Sequence, residues 1–282
     1  SKNYTTADGL PNNAVRSLYL DKNEDLWIGT ENGISKLENG AFTNLVFPKS
    51  FTNNSCWDIT QDTKGSMWFA SYGGGVFKFD GENFKIFSKK NGLPVNRCRK
   101  LLGYKDKVFV GTELGVAIID IHTNRLSVPK EILPHFGVFM VSDFFVYNNE
   151  VYFSAINEGL FKITYKNNIP VIEPVFKFQF AYSLGFYNNT IFSGNKGFID
   201  RLKIQDLISG KTASKSFGKS VVWDFAKDKN NTLYGAAWGI FDLSGRLYRI
   251  TDNEMTNISE QYGIDSKSLL NVVYNAKKDI LM

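Results

Sequence analysis

The amino-acid sequence predicts an all-β protein, a seven-bladed β-propeller, and three observations lead to that prediction. Hairpin-like segments recur along the chain, the composition between them favours strands, and the two ends match complementary parts of one repeat. The chain has 282 residues, of which 43% are hydrophobic and 15% aromatic, which is ample for a large core. We therefore predict a single propeller domain over residues 1–282.

The first observation is a repeated strand-turn-strand motif. The segment WIGTENGI at residues 27–34 reads as a strand, a tight turn and a second strand. Similar segments follow, and their turn glycines recur about 41 residues apart, a period typical of propeller blades. Glycine at such a turn supplies the positive φ that a tight hairpin needs. These turn glycines are Gly33, Gly75, Gly115, Gly159, Gly197 and Gly239.

The second observation is composition, which argues against helical repeats of the same period. Each unit is rich in Tyr, Phe, Val, Ile and Thr, and is interrupted by pairs such as Asn-Gly, Asp-Gly and Gly-Gly. No stretch keeps an apolar period of helical type over three turns. In the first blade we predict strands at 14–21, 26–30, 34–38 and 42–47. In the second blade we predict them at 56–62, 67–71, 76–80 and 84–88.

The third observation concerns the two ends of the chain. Residues 3–7 precede a Gly-Leu-Pro motif and are predicted to be an outer strand, like the strand before the Gly-Leu-Pro motif of the third blade. Residues 269–282 match the first strand of blade one and the start of its second strand. Together the ends would close a seventh blade that lacks its third strand, and this closure would remove exposed sheet edges. The missing strand suggests a fragment of a longer protein.

One stretch of these motifs resembles a known family. The segment GLPNNAVRSLYLDKNEDLWIGTENGISKL, residues 9–37, resembles the regulator-propeller repeat of two-component systems. The resemblance is close in blades one to three and weaker in blades four to six, where Tyr152, Ile191 or Tyr234 replaces the repeat tryptophan. It implies the periplasmic sensor region of a Bacteroidetes hybrid two-component system that detects polysaccharide fragments. It also implies a second propeller, an inner-membrane anchor and downstream signalling domains as partners in the full-length protein.

Charge and motif content disfavour several other classes of function. The balance of 33 Lys and Arg against 28 Asp and Glu, without a long run of like charge, does not predict a nucleic-acid partner. His122 and His135 lack metal-site spacing, so we expect no metal and no cofactor. We find no catalytic constellation and predict that this part of the protein is not an enzyme. Cys56 and Cys98 are predicted to be small buried free thiols, with a disulfide as the alternative.

The starts of the inner strands hold polar and aromatic residues where a pure core would be apolar. One aligned register contains Arg16, Trp57, Arg99, Ser142, Tyr182, Trp223 and Leu270. The next contains Ser17, Asp58, Lys100, Asp143, Ser183, Asp224 and Asn271. Because burying unpaired charge is unfavourable, these groups either satisfy one another around the predicted channel mouth or face a ligand. Loops predicted on the same face carry Asn32, Tyr72, Glu113, Asn157, Lys196 and Trp238.

We predict that this channel mouth binds an oligosaccharide, because aromatic faces and polar groups together suit sugar rings. Three cations, Arg16, Arg99 and Lys100, form a basic sector suited to an acidic sugar such as a uronate or a sulfated unit. A propeller glycoside hydrolase or lyase, a non-catalytic interaction scaffold and a homodimer stay open as alternatives. The predicted ligand-binding residues are Arg16, Trp57, Asp58, Arg99, Lys100, Tyr182, Trp223 and Asp224.

Overall fold

The chain divides into two compact units. The first comprises Asn3–Ala155 and Lys162–Glu173, and the second comprises Ile156–Phe161 and Pro174–Met282. The prediction of a single domain over residues 1–282 stays a prediction. The computed structural model describes residues 3–48, 51, 53–129, 139–177, 182–187, 190–195, 198–203, 206, 215–217, 220–238, 246–251, 254–265 and 269–282.

The first unit is built from four-stranded sheets whose strands lie side by side in chain order. The first sheet contains β1 (Val15–Leu20), β2 (Leu26–Thr30), β3 (Gly33–Glu38) and β4 (Ala41–Asn44). The second contains β5 (Asp58–Gln61), β6 (Met67–Ser71), β7 (Gly75–Phe79) and β8 (Phe84–Phe87). The third contains β9 (Cys98–Tyr104), β10 (Lys107–Thr112), β11 (Gly115–Asp120) and β12 (Leu126–Ser127). A fourth sheet begins in this unit with β13 (Val141–Tyr147) and β14 (Glu150–Ala155), followed by β15 (Gly159–Lys166) and β16 (Ile169–Phe176).

The second unit repeats this up-and-down order. One sheet contains β17 (Ser183–Tyr187), β18 (Thr190–Asn195), β19 (Phe198–Lys203) and β20 (Lys215–Phe217). The next contains β21 (Val221–Lys227), β22 (Leu233–Trp238), β23 (Arg246–Ile250) and β24 (Met255–Asn257). The last is a hairpin of β25 (Tyr274–Asn275) and β26 (Ile280–Leu281). Short 3₁₀ helices cover Thr6–Asp8, Lys89–Asn91 and Glu260–Tyr262.

The predicted count of seven blades is not matched in the described residues, which form six four-stranded sheets and one two-stranded sheet. The β25–β26 hairpin lies where the sequence predicts the first strand and the start of the second strand of a last blade. Within the same described ranges, no helix is both long enough and apolar enough to span a bilayer.

The predicted outer strand over residues 3–7 was wrong, because a capped turn forms there instead. Thr6–Asp8 is a 3₁₀ helix, and the Thr5 backbone N–H donates to the Asp8 carboxylate at 2.8 Å. The Thr5 side chain in turn accepts the Ala7 N–H at 3.2 Å. Such local side-chain hydrogen bonds compete with a strand ladder for the backbone. Ser88 caps the equivalent 3₁₀ helix before the third blade in the same way.

An aspartate fixes the first hairpin in several blades. Asp21 accepts two backbone N–H groups of its own turn through Oδ1, and accepts the Trp27 Nε1–H through Oδ2 at 2.9 Å. Asp62 repeats this arrangement in the second blade and holds Trp68 Nε1–H at 2.8 Å. Both tryptophans are buried in the core. The spacing of aspartate and tryptophan therefore explains why blades one and two form the same hairpin.

In the four blades where the structure describes the predicted turn glycine, that glycine has a positive φ, as predicted. Gly33 has φ +119° and Gly115 has φ +95°, values that residues with a Cβ rarely adopt. Gly197 and Gly239 lie outside the described residues. The thiols of Cys56 and Cys98 are free and buried, which confirms the prediction made for them.

Candidate functional site

Most inner strands carry a β-bulge at the first of the two aligned registers. In β1 the pairing shifts between Val15 and Ser17, so that Arg16 is the extra residue. A bulge re-aims its extra side chain and is frequent beside functional sites. The equivalent extra residues are Arg99 in β9, Ser142 in β13 and Trp223 in β21.

Trp57 and Tyr182 occupy the same position in their own blades. The Trp57 N–H donates to the Ala70 carbonyl at 2.8 Å, although Ala70 already pairs with Asp58. The Tyr182 N–H likewise donates to the carbonyl of Gly194, at 2.8 Å. The register that the sequence singles out is therefore the point where each inner strand departs from regular pairing.

In the first unit, residues of three blades meet around Trp57. The guanidinium carbon of Arg16 lies 5.2 Å from the centroid of the Trp57 ring, and that of Arg99 lies 5.0 Å from it. Tyr72 stacks on the same indole at 4.5 Å with an interplanar angle of 19°. The structure thus brings three predicted site residues together with Tyr72. Protein groups of three blades therefore already contact the Trp57 ring.

Two glutamates at equivalent hairpin positions pair differently around this cluster. Glu31 forms an ion pair with Arg16 of its own blade. Glu113, only 7% exposed, instead accepts hydrogen bonds from Arg97 and from the Tyr72 hydroxyl. The hydrogen bond to Glu113 raises the pKa of Tyr72. Glu31 and Arg97 were not predicted as site residues, although the repeated Thr-Glu-x-Gly hairpin of blades one and three was the signal that could have indicated the glutamates.

Arg99 is left without an acidic partner. In blade one the bulge arginine, Arg16, forms an ion pair with the hairpin glutamate, Glu31. In blade three the equivalent glutamate, Glu113, forms its ion pair with Arg97. Across the described ranges, the Arg99 guanidinium forms neither an ion pair nor a hydrogen bond with another side chain. Burial lowers the pKa of Arg99, and the Tyr72 hydroxyl and the Glu113 carboxylate oppose that shift. A partly buried cation with unused donors is suited to an anionic ligand.

Side chains of the second aligned register form hydrogen bonds with the backbone of the next blade. The Asp58 Oδ2 accepts the Leu101 N–H at 2.7 Å, and the Asp224 Oδ2 accepts the Val272 N–H at 3.0 Å. Two further members of this register donate to carbonyl oxygens of the following blade, Ser17 and Ser183. Asp58 and Asp224 therefore have a structural role in joining consecutive inner strands.

Lys100 contributes to the electrostatics around Asp58. Burial raises the pKa of Asp58, the positive charge of Lys100 and the Leu101 N–H oppose that rise, and the negative charge of Asp143 adds to it. The carboxylate and ammonium groups of neighbouring blades thus compensate one another in part. For Asp58, the structure therefore agrees with the first alternative, in which the polar groups of this register satisfy one another.

In the second unit, the predicted residues Tyr182 and Trp223 lie together. Their ring centroids are 5.0 Å apart, and Trp238, from the adjoining hairpin, lies 5.8 Å from Trp223. Trp238 is 40% exposed, whereas the Nε1 atom of Trp223 is buried and has no hydrogen-bond partner in the described part of the chain. Lys196, predicted on this face, lies outside the described residues.

His122 does not join either cluster. His122 lies on an exposed turn, with Nε2 3.1 Å from a carboxylate oxygen of Asp106. His135 lies outside the described residues. Among the described residues, no group of three His, Cys, Asp or Glu side chains could hold a metal ion.

The comparison with protein families bears on the first blade. Residues 9–32 match the family model described as "Two component regulator propeller". The chain carries a regulator-propeller repeat. The resemblance predicted from the Gly-Leu-Pro and Trp-Ile-Gly-Thr motifs is thereby confirmed, and its matched residues include Arg16 and Glu31.

Solved structures show the same all-β propeller fold. The extracellular domain of BT3049 from B. thetaiotaomicron, described as a hybrid two component system, has a TM-score of 0.77 and 16% identity, with 99% of this chain and 40% of that chain covered. The extracellular domain of BT4673 from the same organism, also described as a hybrid two component system, has a TM-score of 0.70 and 13% identity, with 95% and 36% covered. Virginiamycin B lyase from Staphylococcus aureus has a TM-score of 0.70 and 12% identity, with 93% and 89% covered.

The coverage differs between these relatives. The chain spans about two fifths of the BT3049 domain, 40%, and nearly all of the lyase. No curated protein matches the sequence. At these identities the similarities define the fold alone.

Proposed function

We propose that this chain is a ligand-sensing propeller in the periplasmic part of a two-component signalling protein, and that it binds an acidic oligosaccharide. The regulator-propeller repeat and the likeness to extracellular domains of such systems support the sensor role. The Arg99 guanidinium, which has no acidic partner among the described residues, is the observation that carries the ligand proposal. We further propose that the β25–β26 hairpin begins a seventh blade, because Asp224 holds Val272 as Asp58 holds Leu101.

The ligand proposal follows from the pairing around Trp57. A carboxylate or sulfate of a sugar would give Arg99 the partner that Glu113 gives to Arg97. Charge-assisted hydrogen bonds of this kind are stronger than neutral ones. Lys100, the next residue of the same strand, acts with its positive charge on Asp58. The site is therefore expected to prefer acidic sugars over neutral sugars of equal size.

The proposed site transmits a signal by binding energy and performs no chemistry. A ligand shifts the balance between two receptor arrangements only if it binds them with different affinity. The contacts of Glu113 with Arg97 and Tyr72 join blades two and three beside Arg99. An anion bound to Arg99 would therefore change the electrostatic field around residues of both blades. A second propeller, the downstream signalling domains and a homodimer would supply the other arrangement in the full-length protein.

The lyase likeness favours one alternative, a propeller lyase. A variant of the lyase in which a histidine is replaced by alanine is described as catalytically inactive. In this chain His122 pairs with Asp106 on an exposed turn after β11, at the end of that strand opposite Glu113 and Gly115. We therefore propose that the chain releases no product from plant or host glycans or from quinupristin. Turnover that disappears when Glu113 is replaced by Gln would instead favour an enzyme.

Calorimetric titration tests the ligand proposal. Trigalacturonate and the neutral galactotriose would be titrated into the chain at low and high salt. We expect trigalacturonate to bind about tenfold tighter or more, and its affinity to fall with salt because exposed charge contacts are screened. Equal affinities for the two sugars, or no effect of salt, would contradict the acidic-ligand proposal. A protein partner captured without any sugar would favour the interaction scaffold.

A further inference from the structure

The second unit carries an aromatic cluster that does not depend on the acid-binding proposal. Tyr182, Trp223 and Trp238 form a continuous set of rings, with centroid separations of 5.0 Å and 5.8 Å. We propose that these three residues form a separate binding subsite for the face of a neutral sugar ring.

The first argument is the exposure of Trp238. Trp238 is the last residue of β22 and corresponds to Glu31, Tyr72 and Glu113 of blades one to three. The side chains of those three residues are bonded to neighbouring side chains. Trp238 is instead 40% exposed. A single exposed aromatic residue is common on protein surfaces, but this one continues inward into two further rings. The cluster therefore presents a platform backed by packed aromatic groups.

The second argument is the indole N–H of Trp223. Its Nε1 atom is buried and has no acceptor among the described residues. Nearly all buried donors in proteins are paired, so an exception calls for an explanation. Trp27 and Trp68 show the usual outcome in this chain, since each donates its N–H to an aspartate. A ligand oxygen beside Trp223 would supply the acceptor that blades one and two obtain from the protein.

The chemistry of the cluster selects the class of ligand. The C–H face of a pyranose stacks on aromatic rings, and its hydroxyl oxygens accept hydrogen bonds. The indole is a donor only and carries no charge, so it has no reason to prefer an anion. The nearby Asp224 carboxylate already accepts the Val272 N–H. A neutral hexose unit meets these requirements, and Trp223, the extra residue of its bulge, has its ring beside that of Trp238.

The experiment is a tryptophan fluorescence titration with the neutral disaccharides cellobiose, maltose and mannobiose. Parent protein would be compared with Trp238→Ala, which removes the platform, and with Trp223→Phe, which keeps a ring but removes the N–H donor. The matched control is Tyr262→Ala, since Tyr262 is also 40% exposed and lies in the same unit outside the cluster. Circular dichroism and thermal unfolding would establish that each variant is folded.

We expect at least one disaccharide to quench the fluorescence of the parent. Trp238→Ala should weaken that binding about tenfold, the equivalent of about 1.4 kcal/mol, Trp223→Phe should weaken it several-fold, and Tyr262→Ala should leave it unchanged. Absence of binding by all three sugars, or equal affinities in parent and both cluster variants, would overturn the inference. Arg99→Ala separates the two sites, because it should impair trigalacturonate binding and leave the neutral sugar unaffected.

Discussion

Arg99 places its guanidinium carbon 5.0 Å from the centroid of the Trp57 ring without an acidic partner in the described part of the chain. Arg16 lies at nearly the same distance from that ring, 5.2 Å, but it is held by Glu31. The two arginines occupy equivalent bulges in blades one and three. They therefore form a matched pair that differs mainly in whether the charge is already neutralised.

This pair gives the first prediction. Arg99→Ala should weaken binding of trigalacturonate about 10- to 100-fold, because a charge-assisted hydrogen bond contributes roughly 1.5–3 kcal/mol. Arg16→Ala is the control and should change the affinity by less than about threefold, since its charge is engaged by Glu31. Calorimetry at fixed salt gives both values. Equal losses in the two variants would mean that packing on Trp57, and not free charge, determines binding.

Much of the fold could be predicted because its determinants are local. Asp21 and Trp27 lie six residues apart and are hydrogen-bonded to each other, so the residues that determine the hairpin all belong to one repeat. The positive φ of Gly33 is a property of its own turn. Predicted strands at 26–30 and 67–71 agree with β2 and β6. The strand predicted at 3–7 failed because the Thr5–Asp8 capping box is also local and was not considered.

The site could be predicted only in part because its pairings cross between blades. The alignment of the inner strands correctly predicted that Arg16, Trp57 and Arg99 are neighbours. It could not predict which arginine would form the ion pair with Glu113. That choice depends on the position of Arg97 in the folded protein. Similarly, the sequence predicts that Asp58 is a charged residue at the channel mouth. Its hydrogen bond with the Leu101 N–H joins two blades and could not be predicted from the sequence.

The second prediction concerns Asp58 and pH. Its pKa is raised in the folded protein, chiefly by burial, so the folded state binds this proton more tightly than the unfolded chain does. The stability that it contributes is present below the unfolded pKa of about 3.9 and is lost as the pH rises through the folded value. Asp58→Asn keeps an oxygen for the Leu101 N–H and removes the charge. The variant should therefore gain stability over the parent near neutral pH and lose that advantage at low pH.

Asp80 provides the control of opposite sign. The N–H of Asn83 and then that of Glu82 lower the pKa of Asp80, so its stabilising effect is present above the unfolded pKa and is lost as the pH falls through the folded value. Asp80→Asn should accordingly be less stable than the parent near neutral pH. Urea unfolding at about pH 3 and about pH 8, below and above the unfolded pKa of about 3.9, measures both variants. A uniform shift of Asp58→Asn at both pH values would contradict the assignment.

The third prediction concerns the close approach of the first two blades at Gly29. A Cβ at this position would lie 2.2 Å from the Ser17 Oγ and 2.8 Å from the Cys56 carbonyl oxygen. Because one of these contacts is backbone, rotation of a side chain cannot relieve it. Gly29→Ala should lower the free energy of unfolding by about 1–3 kcal/mol. Thr43→Ala, an exposed position on β4, should stay within about 0.5 kcal/mol of the parent, and urea denaturation distinguishes the two outcomes.

The fourth prediction concerns the reactivity of the two thiols. Cys56 and Cys98 are 1% and 0% exposed, and burial raises the pKa of both above its ordinary value. Because the thiolate is the reactive form, both burial and the raised pKa suppress reaction with an aromatic disulfide reagent. In the native protein, neither thiol should react with the reagent within the time that a free cysteine needs to react fully. In urea, both thiols should become reactive together. Rapid labelling of one thiol in the folded protein, located by peptide mass spectrometry, would mean that its blade opens locally while the rest of the unit stays folded.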